Sequence, residues 1–189
     1  MARVTYVEKF GDQLRLVNDD GSTILAYPTN TNRFIVPGAE PAPGPDPEPG
    51  GARFAWPFPL STVSSEYGPR SGRVHQGIDL APGNNVAIPN AGTGVVHQNR
   101  WHNNFGNMLV MRHDNVGGKT AYLLYAHMIA KPGHREGATL AKGAIIGRVG
   151  NTGASFGAHL HWETHLGGLN WSNPGTHMNP RQFMDRYGK

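Results

Sequence analysis

Short apolar runs, each closed within a few positions by glycine, Pro-Gly or asparagine, recur from residue 53 onward. They constrain the fold more than any other feature. "RVHQGIDLA", "NVAIPN", "GTGVVHQN", "NMLVMRH", "TAYLLYAHM", "AIIGRVG" and "AHLHWETH" follow one another at strand length with turns between them. Glycine supplies 26 of 189 residues, about twice the ordinary ~7%. The pattern predicts an all-β domain, a mainly antiparallel sheet or sandwich with long loops. Only the tail "NPRQFMDRYG" reads as a helix, and a short one.

A proline-rich stretch divides the chain. "PGAEPAPGPDPEPGG" places proline at 37, 41, 43, 45, 47 and 49. Proline at alternate positions removes the donors of a sheet ladder and favours an extended, semi-stiff spacer. Residues 37–52 are therefore expected to link a main domain, 53–189, to a small N-terminal β-module, 1–36. In that module "RVTYVEKF", "QLRLVN", "TILAYP" and "RFIV" read as strands, with a turn at "NDDGS". A segment below ~40 residues rarely holds its own core without disulfides, metal or partners. The module is expected either to cap the main domain or to dock on a partner's sheet edge as an assembly tag.

Composition excludes several classes. Seventeen Lys and Arg against thirteen Asp and Glu give a net charge of +4, with no dense basic run. A solvated surface is the expectation, with no nucleic-acid partner. There is no cysteine, so disulfides and thiolate zinc sites are excluded, and any metal must be held by histidine and carboxylate. "MARVTYVEKF" lacks the apolar stretch of a signal peptide, and no run approaches the ~20 apolar residues of a membrane span. Neither signal-directed export nor membrane insertion is expected.

Three stretches carry titratable side chains in strand register. "HLHWE" puts His159, His161 and Glu163 on one face of a strand, with Leu160 and Trp162 pointing into a core. "HQGID" puts His75, Gly77 and Asp79 on one face, with Val74, Ile78 and Leu80 toward the core. "YAHM" ends an apolar strand at His127, with Tyr125 on the same face. Each pattern alone is a weak signal, since a lone strand histidine is more often surface or satisfied core than ligand. Glu163 reads either as the group that orients a ligand imidazole or as an exposed strand carboxylate. His97, His102, His134, His165 and His177 read as exposed, and His113 as no ligand. Trp101, Phe105, Phe156 and Trp171 read as core packing, with groove walls as the alternative. Tyr67 and Arg70, just ahead of His75, are candidates to touch a substrate.

Together with "YGPRSGRVHQGIDLA", "GTGVV", "GNMLVMRH", "LLYAHM", "LAKGAIIGRVGNTGASFGAHLHWE" and the "NP" at 179 and 180, these stretches resemble the lysostaphin-type (LytM-like) zinc endopeptidases that cut peptidoglycan peptides. The resemblance runs from about Trp56 to Pro180. It implies Zn2+ as cofactor, His75, Asp79 and His161 as metal ligands, and His127 and His159 as catalytic histidines. Three protein ligands leave a fourth position for water, whose pKa zinc lowers toward ~7 while polarising the scissile carbonyl. Imidazole titrates near neutrality, which suits proton transfer. His127 is expected to act as base and His159 to position or stabilise the oxyanion, or the reverse. "GNTGASFGA" reads as a groove-lining loop whose glycines let a peptide approach, or as a plain connection.

The expected substrate is the bacterial peptidoglycan peptide. A wall-cutting chain with no export signal is expected to be phage-borne: a virion enzyme, mounted on the tail through residues 1–36, that opens the host wall. A free endolysin held in the host cytoplasm until lysis is one alternative. A catalytically silent structural or regulatory protein of the same fold is another.

Overall fold

The structure, a computed structural model, describes residues 4–10, 13–18, 23–28, 34–35, 53–70, 72–169 and 176–188. The chain divides into two compact units, Met1–Ala42 and Pro43–Lys189. The division falls inside the stretch read as a linker; residues 37–52, the "NDDGS" turn and Trp171 lie outside the described residues. In the first unit, β1 (Val4–Phe10), β2 (Gln13–Asn18), β3 (Thr23–Pro28) and β4 (Phe34–Ile35) form one antiparallel sheet in chain order. These are the four strands that alternation predicted.

The second unit opens with a 3-10 turn, Leu60–Thr62, and β5 (Val63–Ser65). There follow β6 (Gly68–Arg70), β7 (Arg73–His75), β8 (Ile78–Leu80), β9 (Ala87–Pro89), β10 (Gly94–His102) and β11 (Gly106–Val116). The remainder is β12 (Lys119–Met128), β13 (Thr139–Leu140), β14 (Ile145–Arg148), β15 (Leu160–Leu166), β16 (His177–Met178) and α1 (Pro180–Tyr187). The principal sheet runs β13-β10-β11-β12-β15-β8-β5, with β16 also on β15; β14 pairs with β9 and β6 with β7. All of these pairings are antiparallel. The expected all-β, mainly antiparallel architecture is the observed one. No helix among the described residues is long and apolar enough to cross a membrane.

Both faces of the central strands are covered. Leu109, Met111, Leu123, Tyr125 and Trp162 belong to the main core, joined by Phe183 of α1. Their neighbours Met108, Val110, Leu124 and Ala126 form a smaller apolar cluster on the opposite face. Burial on both sides explains why "NMLVM" reads as a continuous apolar run rather than an alternating one. The helix at 180–187 starts where predicted. The Asn179 side chain accepts a hydrogen bond from the Arg181 N–H (2.9 Å), and Pro180 occupies the first helical position, where no N–H is missed.

Two local expectations fail. "RVHQGIDLA" is not one strand. It breaks at Gln76–Gly77 into β7 and β8, so His75 and Asp79 do not share a strand face, and Val74 is half exposed rather than in the core. The break follows from close packing: a Cβ on Gly77 would sit 2.5 Å from the Trp162 carbonyl oxygen and 2.8 Å from the His161 ring. Nor does Tyr125 share a face with His127. Between the pairs Asn107–Met128 and Leu109–Tyr125, β12 carries one residue more than β11. That bulge turns His127 away from the core that holds Tyr125.

Candidate metal centre

β8 and β15 are antiparallel neighbours with Asp79 directly opposite His161. The end of β7 brings His75 to the same point. The His75 Nε2 lies 3.1 Å from Asp79 Oδ1 and 3.1 Å from His161 Nδ1, and His161 Nδ1 lies 2.8 Å from Asp79 Oδ1. All three residues are buried. Among the described residues they form the group of histidines and carboxylates able to hold a metal ion.

The outer nitrogens decide what this cluster holds. His75 Nδ1 donates to the Glu66 carbonyl oxygen (2.7 Å), and His161 Nε2 donates to Glu163 Oε1 (2.9 Å). Each neutral imidazole carries one N–H, so both inward nitrogens present lone pairs to each other and to a carboxylate. Three acceptors converging within hydrogen-bond distance require a positive charge among them. Burial opposes charge on His161, but the Asp79 and Glu163 carboxylates overcome it and push its pKa up to about 9. Burial likewise raises Asp79, yet hydrogen bonds from His161 and His75 hold it well below the usual carboxylate range. The cluster therefore favours a cation, and two imidazoles with one carboxylate are the donor set of a zinc site.

Two further imidazoles face the centre. His127 Nδ1 donates to the Thr152 carbonyl oxygen (2.7 Å), and His159 Nδ1 donates to the Gly157 carbonyl oxygen (2.8 Å). Both thus turn Nε2 inward as the acceptor. The rings stand 4.7 Å apart, and His159 Nε2 is 3.5 Å from Asp79 Oδ1. Burial, with the neighbouring His161 and His159, pushes the His127 pKa down to about 4 against the pull of the Thr152 carbonyl, so it is neutral at pH 7. His127 has φ of 59°, a conformation that costs a non-glycine residue free energy and that clusters at functional sites.

A cleft passes over the cluster in two lobes. Arg73, Val74 and Gln76 line one; Ala154, Ser155, Phe156 and Gly157 line the other; Arg70, Asn104 and Phe105 border both. "GNTGASFGA" therefore supplies a groove wall, as one reading of it expected. Its Gly153, at φ 78°, serves the fold instead: a Cβ there would lie 2.3 Å from the Gly106 nitrogen. Phe105 packs against the smaller apolar cluster and also stacks on the His161 ring at 5.7 Å, so it serves both core and cleft. Phe156 is fully exposed at the cleft and is not core. Trp101 is also exposed. Arg70 reaches both the cleft and the second Asp79 oxygen (Nη1–Oδ2 3.3 Å), whereas Tyr67 instead bonds His177 Nδ1 (2.7 Å).

His165 was expected at the surface and is buried; its Nε2 donates to Glu163 Oε2 (2.8 Å). Glu163 is thereby clamped between His161 and His165, an orienting partner for the ligand and not an exposed carboxylate. The signal was present in the sequence: the alternation that selects 159, 161 and 163 continues to 165. His102, His134 and His177 are half-buried, and only His97 is fully at the surface. The Glu66, Thr152 and Gly157 carbonyls had no signal, because any residue supplies one.

Residues 73–180, more than half the chain, match the sequence profile of Peptidase family M23. The chain is 33% identical over 132 residues to the peptidoglycan DD-endopeptidase ShyC of Vibrio cholerae, covering 66% of this chain and 28% of that protein. It is 35% identical over 118 residues to the DD-carboxypeptidase/endopeptidase Mpg of Neisseria meningitidis, covering 59% and 26%. The chain thus spans about a quarter of the length of these curated relatives. Among solved structures, the catalytic domain of the prophage-encoded M23 protein EnpA from Enterococcus faecalis superposes with a TM-score of 0.55 at 30% identity, covering 74% of this chain and 98% of that one. The catalytic domain of lysostaphin from Staphylococcus simulans gives 0.57 at 24% identity, covering 65% and 91%, a likeness of fold.

Proposed function

The chain belongs to peptidase family M23, and from that premise we propose that it is a zinc-dependent endopeptidase hydrolysing peptide cross-links or cross-bridges of bacterial peptidoglycan. The observation that carries the proposal is the convergence of His75 Nε2, Asp79 Oδ1 and His161 Nδ1 as three acceptors around one point. Those residues would hold the ion. Zinc so held supplies Lewis acidity to a carbonyl and acidifies water.

The chain's own groups do the rest. His127, neutral and with Nε2 directed inward, takes the proton of the attacking water and returns one to the leaving amine. His159, whose Nε2 faces the same centre, steadies the charge developing on the carbonyl oxygen. Glu163 and the Glu66 carbonyl hold the ligand imidazoles in the tautomers that bind metal. Zinc analysis of the purified chain combined with a wall-clearing assay tests this. Wild type is expected to carry one zinc and clear walls, and His161→Ala to lose both. An equally active His161→Ala chain would refute the proposal, and zinc without clearing in wild type would favour the catalytically silent alternative.

We further propose delivery by a phage tail, with residues 1–36 as the docking module and 37–52 as spacer, acting at the host cell wall. In support stand a separate N-terminal β-unit, the alternating prolines between the units, and a likeness to the catalytic domain of a prophage-encoded M23 protein. Mass spectrometry of purified virions decides: the chain present in tails supports delivery, and its presence only in lysates makes it a free endolysin.

A further inference from the structure

We infer that Arg70 and Arg73 form an anion clamp that reads a free carboxylate on the substrate next to the scissile bond; this rests on the endopeptidase reading above. The two arginines are directly opposed in the β6–β7 hairpin, where Gly68 pairs with His75 and Arg70 with Arg73. Residues two apart on a strand share a face. Arg73 therefore emerges on the side of His75, and Arg70 beside it. Both line the same lobe of the cleft. Two residues of strand separate the clamp from a metal ligand, about 7 Å, or the span of one to two residues of an extended peptide.

Like charges directly opposite on an antiparallel pair destabilise it. Among the described residues nothing relieves this pair fully. Arg70 Nη1 is anchored by Ser65 Oγ (3.0 Å) and Asp79 Oδ2 (3.3 Å), which fixes its direction. Glu66, the nearest other carboxylate in sequence, is taken bidentately by Arg181 (2.6 and 3.0 Å). Arg73 is exposed and has no acidic partner among the described residues. A surface hairpin that tolerates such a pair, aimed along a cleft at a metal centre, is arranged for a ligand that brings the missing negative charge. Guanidinium forks match a carboxylate in geometry as well as charge. The substrate side chain or α-carboxylate lying over β6–β7 is therefore anionic, which favours stem-peptide cross-links with a free carboxylate over uncharged glycine bridges.

The test uses the zinc-loaded full chain and two synthetic cross-linked peptides. They are identical except that the group beside the scissile bond is a free carboxylate in one and its carboxamide in the other. Wild type is expected to prefer the carboxylate peptide by about tenfold or more in kcat/KM, carried in KM. Arg73→Gln is expected to lose most of that preference and Arg73→Lys to recover part of it. Relieving the like-charge pair leaves the thermal midpoint of Arg73→Gln no lower than wild type, which separates lost recognition from lost folding. Equal cleavage of both peptides by wild type overturns the clamp and leaves the endopeptidase reading intact. Cleavage of neither, with calorimetric binding of the carboxylate peptide that Arg73→Gln abolishes, keeps the clamp and overturns the endopeptidase reading. Cleavage of neither and binding of neither overturns both.

Discussion

His127 and His159 are equivalent in sequence terms and distinct in place. His127 sits on a bulge with positive φ, its Nδ1 fixed by Thr152; His159 lies in the groove wall, its Nδ1 fixed by Gly157. Neither belongs to the His75–Asp79–His161 group, so His127→Ala and His159→Ala are each expected to keep zinc while turnover falls about 10²- to 10⁴-fold. Zinc analysis and peptide cleavage on the same samples check this; loss of zinc in either variant would move that residue into the ligand set. His113 shows a different use of imidazole. It is buried against Phe54, its Nδ1 donates to the Thr93 carbonyl (2.9 Å), and its Nε2 has no partner among the described residues. Burial pushes its pKa down to about 4, below the ordinary ~6.5 of the unfolded chain. The unfolded chain then binds the extra proton first, so stability is complete above pH 6.5 and is lost as pH falls toward 4. The loss from this residue reaches about 3 kcal/mol at most. Denaturant unfolding of wild type and His113→Gln between pH 7 and 4.5 should show a shallower pH dependence in the variant; parallel curves would count against it.

At the scale of elements, the centre is made where two strands meet. β15 supplies His161 and Glu163 by plain alternation, and β8 lays Asp79 opposite. Alternation of period two is legible in a sequence because burial of Leu160 and Trp162 on one face forces the others outward. The break at Gln76–Gly77 and the bulge at Ala126–His127 are not legible. Each depends on a strand elsewhere: Trp162 and His161 crowd Gly77, and the count of residues in β11 sets the bulge in β12. Gly77→Ala is therefore expected to push β8 from β15 and separate Asp79 from His161. Zinc affinity should fall about tenfold or more in a chelator competition, with the far-ultraviolet circular dichroism of a β-protein retained. Unchanged affinity would show that the contact yields without moving the ligand.

For the whole molecule, the centre, its orienting groups and its cleft are built from residues of Pro43–Lys189, and that unit carries a core cluster of its own. A chain of residues 53–189 is expected to hold zinc and to cleave peptides within about twofold of the full chain, because a domain with its own core folds alone. If residues 1–36 dock the chain on a tail, as proposed above, the shortened chain should be missing from purified virions. If instead the shortened chain loses zinc, the N-terminal unit contributes to the site. The sequence by itself predicted the all-β class and a short helix at the tail, and its resemblance to the lysostaphin-type peptidases pointed to His75, Asp79, His161, His127 and His159. The class and the helix rest on local chemistry, strand alternation and turn residues, whereas the five site residues rest on the resemblance, since each histidine pattern alone is a weak signal. Only the tertiary structure decided that His165 clamps Glu163, that Tyr125 and His127 part company, and that Arg70 and Arg73 stand opposed beside the metal ligands. Those facts depend on which strands lie side by side and in what register, a property of distant segments packed together rather than of any one of them.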